Sequence, residues 1–168
     1  MRFLADSMLG RLARWLRFAG VDCGYVRDRQ EVPFLERASR EDRIILTADR
    51  GLASRAGGRA GGSAGGSAYV VNATFHRDQL KEVMAHFNLR PAGPLTRCGE
   101  CNAPLAQLHH AEAYGRVPLR VYESAMQFFA CPECGRLYWS GSHTEAIART
   151  LSEILRPPSQ GDRDHTPT

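Results

Sequence analysis

The chain has 168 residues and a mass of 18.6 kDa, room for one ordinary domain or for a domain of roughly 90 residues beside a smaller module. Its 43% hydrophobic and 24% charged residues are a globular composition that excludes wholesale disorder, and no apolar run approaches the ~20 residues a membrane helix needs. Asp6 interrupts the N-terminus too early for a secretory h-region, so the expectation is a soluble, cytoplasmic protein with no membrane partner. Twenty-two basic residues against 18 acidic ones leave a charge of +4 and a pI near 9.0. Of the 22, 21 are arginine and one, Lys81, is lysine. Arginine's planar fork suits phosphate, although a GC-rich genome yields the same bias. A net +4 permits nucleic-acid binding without requiring it.

Residues 2–6 read as a short strand, and residues 8–19 as a helix with Leu9, Leu12 and Leu16 on one face. Arg11, Arg14 and Arg17 recur at i, i+3, i+6 on the other side, and Gly20 follows as a C-cap. A second strand is expected at 24–26, a helix at 31–40 with Pro33 in its first turn, a buried strand at 43–47 and a short helical piece at 52–56. Residues 57–68 are Gly-, Ala- and Ser-rich and read as a flexible, inserted surface loop. A strand at 69–72 and a helix at 77–87, with Leu80, Val83, Met84 and Phe87 on one face, complete the first module. Strands alternating with helices predict an α/β fold, a parallel sheet flanked by helices, over residues 1–92. Pro91 and Pro94 mark a linker, residues 95–144 a second module, 145–156 a last helix, and 157–168 a polar, disordered tail.

The second module carries four of the five cysteines, as Cys98-Gly99-Glu100-Cys101 and Cys131-Pro132-Glu133-Cys134, with 29 residues between the pairs. Two C-x-x-C knuckles present four thiolates to one tetrahedral ion, so Cys98, Cys101, Cys131 and Cys134 are expected to bind Zn²⁺. Four protein ligands leave no open position, which makes the metal structural. The competing reading is two independent redox pairs. Cys23 reads as a small buried hydrophobe. His143 follows the last knuckle, but a four-sulfur shell does not need it.

Parallel α/β sheets place function at the carboxyl ends of their strands. Asp6 ends the first strand, Asp28 follows the second, and Asp49 comes one residue after the third. Three such carboxylates suit Mg²⁺ or Mn²⁺, which activates water and neutralises phosphoryl charge. Asp22 is the rival for the third place, with a turn role favoured for it. Glu31 reads as a helix-start acid, and Ser7 and Thr47 as local caps or as residues that orient a carboxylate. There is no G-x-G-x-x-G, P-loop or G-x-S-x-G pattern, and no D-x-D on the first strand.

Residues 3–17, Leu46-Thr47-Ala48-Asp49-Arg50-Gly51-Leu52, Asp78-Gln79-Leu80, Arg97-Cys98, Cys101-Asn102 and residues 131–143 together resemble the Mut-seven C-terminal RNase family. The similarity runs from about residue 2 to 143. The resemblance implies a PIN-like nuclease domain followed by a small zinc ribbon, and divalent-metal-dependent hydrolysis of RNA. It puts metal ligation and catalysis on Asp6 and Asp49, with Asp28 as the third acid. Two departures stand out: Asn72 is neutral where a PIN-like site often has a further acid, and the Gly-rich tract is long.

The expected function is therefore a ribonuclease with catalytic Mg²⁺ or Mn²⁺ and structural Zn²⁺, acting on single-stranded RNA. Arg11, Arg14 and Arg17 would track the RNA backbone, or else form a solvated helix face. Arg50 would steady a phosphate, or else pair with a carboxylate. Tyr138, Trp139 and His143 are candidates for base stacking, with a core role favoured for Trp139. The alternative function is a non-catalytic RNA- or ribosome-associated adaptor with a vestigial acidic site, its ribbon docking RNA or a protein partner.

Overall fold

The computed structural model describes residues 1–27, 30–58 and 67–156. Strands β1 (Arg2–Ala5), β2 (Asp22–Tyr25), β3 (Ile44–Thr47) and β4 (Ala68–Val70) form a parallel sheet in the order β2-β1-β3-β4. Alternation along β1 divides the core into two layers. Phe3 and Ala5 face α1 (Gly10–Phe18) and α4 (His76–His86), packing with Leu12, Leu16, Leu80 and Val83. Leu4 points the other way, onto α2 (Glu31–Arg40) and α3 (Arg50–Gly58), where Phe34, Leu35 and Leu52 are buried.

Two boundaries differ from expectation for physical reasons. The second strand starts at Asp22, because that acid is drawn into an ion pair with Arg43 and pairs in register with Arg2. The first helix opens as a 3-10 turn, Ser7–Leu9, because the Asp6 carboxylate accepts the Met8 N–H and tightens the chain. Asp28, most of the expected Gly-rich loop (59–66) and the tail 157–168 lie outside the described residues.

The linker is pinned rather than loose. The Ala92 N–H donates to the Ala19 carbonyl at 2.9 Å. Gly20, at φ +86°, allows that approach; a Cβ there would sit 2.8 Å from Ala92 Cβ. Beyond it, β5 (Ala106–Leu108), β6 (Phe128–Ala130) and β7 (Leu137–Trp139) form an antiparallel sheet in that order. The chain between β5 and β6 includes α5 (Leu119–Ser124). Phe128, Ala113 and Ala125 form a small core, and Trp139 packs against it, so the favoured core role holds for that indole.

The last helix, α6 (Ser142–Ile154), begins three residues before the expected 145, because Thr144 exchanges hydrogen bonds with the Gly141 backbone. It returns to the first module: Ile147, Leu151 and Ile154 are buried in the same core as α1 and α4.

Candidate functional site

The carboxyl edge of the parallel sheet brings Asp6 and Asp49 onto neighbouring strands, because β1 and β3 pair directly. Asp6 is fully buried at the end of β1. Its Oδ1 accepts the Met8 N–H at 2.9 Å and its Oδ2 accepts the Thr47 hydroxyl. Thr47 Oγ1 in turn accepts the Asp49 N–H at 2.9 Å. Thr47 thus links the two aspartates and is itself fully buried. Asp49 Oδ1 accepts the Leu52 N–H at 3.0 Å, an N-cap on α3 that fixes the carboxylate at the strand end. The oxygens of Asp6 and Asp49 are hard donors of the kind Mg²⁺ and Mn²⁺ take. Among the described residues no third acid joins them in a cluster of three, and Asp28 lies outside those residues.

Asn72, just past β4, is exposed, and its side-chain amide donates to Val70 O at 3.1 Å and to Glu82. Glu82 is turned toward the end of β4, where it accepts Tyr69 Oη, Asn72 N and Ala73 N. Burial raises its pKa, but those donors outweigh burial and hold it below the usual carboxylate range. Two shallow depressions, each about 390 Å³, lie along this side of the edge and share Met8, Thr74 and Gln79. Arg50 lines one and Arg11 the other.

The arginines expected to track RNA divide into two pairs. Arg11 and Arg50 are exposed, and among the described residues neither has a carboxylate partner at ion-pair distance. Arg14 pairs with Glu100 at 3.0 Å and lies over the Phe18 ring. Arg17 corrects the expectation outright. It is only 5% exposed, and its guanidinium donates to Cys23 O at 2.8 Å, Gly99 O at 3.1 Å and Glu100 O at 2.7 Å. The helical spacing was right, but the first cysteine knuckle covers that part of α1. Gly99 makes the fit possible, since a Cβ there would lie 2.7 Å from the Phe18 ring.

Cys98, Cys101, Cys131 and Cys134 converge, with all four sulfurs within 4.8 Å of one another. Sγ···Sγ is 3.6 Å for Cys98–Cys134 and 3.3 Å for Cys101–Cys131. Zinc at about 2.3 Å from each thiolate would set these separations near 3.8 Å, so the four cysteines are positioned to bind a metal and compatible with structural zinc. Tyr138 accepts the Gly99 N–H at 3.1 Å, which leaves its own proton for Cys98 Sγ, also at 3.1 Å. Burial opposes a Cys98 thiolate, but the Cys101 N–H, the Tyr138 hydroxyl and the Glu100 N–H bring that thiol down to about 6. Cys101 is pushed up to about 12 by burial and by its sulfur neighbours. Four thiols this close do not all ionise without a cation among them. His143 is exposed in the first turn of α6 and is not part of the cluster. Cys23 is buried, and burial pushes its thiol up to about 12.

A polar network at the opposite, amino edge of the sheet went unread in the sequence. Asp22 accepts Arg43 at 2.5 Å and Asn102 Nδ2 at 2.8 Å, and pairs with Arg97 at 3.4 Å. Asn102 Oδ1 also accepts the Cys23 N–H at 3.0 Å. The available signal was Asn102 itself, which follows the first knuckle at φ +74°, a conformation asparagine tolerates better than most residues. Asp22 therefore has a structural partner set, and its rival claim to the metal falls away.

No helix among the described residues is long and apolar enough to cross a membrane. Comparisons with curated proteins and with solved structures give no match. The model of the Mut7-C RNAse domain family matches residues 1–151, which takes in the acid edge, the clasped arginine and both cysteine knuckles; the chain belongs to that family.

Proposed function

We propose that the chain is a divalent-metal-dependent ribonuclease that hydrolyses phosphodiesters of single-stranded RNA. The observation that carries this reading is the pairing of Asp6 and Asp49 through Thr47 at the carboxyl ends of adjacent parallel strands, in a chain of an RNase-domain family. Asp6 and Asp49, with Asp28 as third acid, would hold Mg²⁺ or Mn²⁺. The ion supplies activation of water and neutralisation of charge at the phosphoryl group. The chain's own part is orientation. Met8 N–H and Thr47 Oγ1 fix the Asp6 carboxylate, and the Leu52 N–H fixes that of Asp49. Arg50, beside Asp49, and Arg11 bind the phosphates of the strand. The cysteine cluster holds Zn²⁺ with all four positions filled by protein, so its role is to fold the ribbon.

Neutral Asn72 at the end of β4 favours a second reading, an RNA-binding adaptor whose acids are vestigial. Asp49→Asn separates the two. The ribonuclease reading expects Mn²⁺-dependent cleavage of single-stranded RNA to fall on the order of a hundredfold to a thousandfold, with RNA affinity retained. Equal cleavage by the variant, or none by the wild type at any divalent ion, removes the catalytic assignment and leaves the adaptor.

A further inference from the structure

Met8 and Phe75 are 70% and 71% exposed, among the most exposed large apolar side chains of the described residues. Both line the depressions beside the acid edge, Met8 at the point the two share and Phe75 in the one that also holds Arg11. Among the described residues no acid lines either depression, and the arginines are Arg50 in one and Arg11 in the other. The described lining is thus partly apolar and aromatic, with one arginine in each depression. A single nucleic-acid strand has the complementary pattern of spaced phosphates with π-faces between them. A volume of about 390 Å³ on each side of Met8 suits one small ligand apiece. A duplex keeps its bases stacked and offers none to an exposed ring.

Resting on the ribonuclease reading above, we propose that these depressions form one groove that carries two successive nucleotides of single-stranded RNA across the 3-10 turn Ser7–Leu9. Arg11 and Arg50 grip the flanking phosphates, and Phe75 stacks on a base. The strand runs over this turn rather than along α1, because Arg14 and Arg17 farther along that helix are engaged with the ribbon. Phe75 precedes α4, is 71% exposed and among the described residues packs against no core cluster, so its replacement costs the fold little.

The test measures binding of a fluorescein-labelled, single-stranded 12-nucleotide RNA by anisotropy across a salt series, in the full chain carrying Asp49→Asn to stop cleavage. Phe75→Ala is expected to weaken binding about five- to a hundredfold with the salt slope unchanged, and Phe75→Trp to restore it. Arg11→Ala and Arg50→Ala are each expected to lower the salt slope by about 0.7. RNA binding that none of the three alanine variants alters overturns the groove while the ribonuclease reading stands. Phe75-dependent binding by a protein whose wild type cleaves nothing supports the groove and overturns the ribonuclease reading. Absence of RNA binding overturns both.

Discussion

Asp6 and Asp22 sit on neighbouring strands at opposite ends of one sheet, and the same side chain meets different surroundings at each. β1 and β2 pair from Arg2 with Asp22 to Ala5 with Tyr25, so Asp22 opens its strand and Asp6 lies just past the end of its own. Asp22 meets two guanidiniums and an amide, which spend its charge on holding the ribbon. At Asp6 a backbone N–H and a hydroxyl orient the carboxylate. The cysteine knuckle packs on the amino edge, whereas two shallow depressions lie beside the carboxyl edge. Partner chemistry, more than residue type, makes Asp22 a structural acid.

The contrast predicts that damage at the amino edge costs stability and damage at the carboxyl edge costs chemistry. Removal of a metal held by the four cysteines should have the largest effect, since structural zinc there would contribute on the order of 10 kcal/mol to the folding of such a module. Arg17 and Asn102 carry that loss into the parallel sheet. Chelation should therefore lower the melting temperature of the first module as well, read from Trp15 fluorescence in a Trp139→Phe chain. An unchanged Trp15 melt would break the comparison.

Arg17→Met comes next. It strands three backbone carbonyls at a buried junction, and urea unfolding should register a loss of about 3 kcal/mol with cleavage per folded molecule unchanged.

Asp22→Asn should cost about 2 kcal/mol at neutral pH and carries a pH signature. Burial raises the Asp22 pKa, but hydrogen bonds from Arg43 and Asn102 and the charges of Arg43 and Arg97 outweigh it and hold the acid below the usual range. A depressed carboxylate contributes stability that is complete above its unfolded value and is lost as pH falls through the folded one. Wild type should therefore lose stability more steeply than the variant below about pH 4.

Asp49→Asn should disturb the fold least, by under about 0.5 kcal/mol, because asparagine caps a helix as well as aspartate does. Its effect belongs to cleavage, which sharpens the division between the edges.

Much of this was legible in the chain because its cause is local. Apolar residues at helical spacing put Leu12 and Leu16 into the core, and a continuous apolar run made β3 a buried strand. Two C-x-x-C turns carry their own geometry, so their spacing alone directs the four cysteines toward one ion. Asp6 and Asp49 could be placed at strand ends because each stands at the stop of an apolar run.

What escaped has non-local causes. Nothing around Arg17 distinguishes it from Arg11, since both have helical spacing and the same chemistry. Their fates diverge because a knuckle more than eighty residues later in the chain covers one and not the other. The partners of Asp22 come from residues 43, 97 and 102, and the last helix, legible at 145–156, has no assigned docking face until its apolar side meets the core of α1 and α4. By itself the sequence determined the elements of the first module, the four cysteines positioned to bind a metal, and Asp6 and Asp49 at the strand ends, because periodicity and ligand spacing act over a few residues. Only the tertiary structure decided which arginines face solvent and which clasp the ribbon, which residues pair with Asp22, and where two depressions open beside the acids. Those outcomes depend on which surfaces cover one another once the chain has closed.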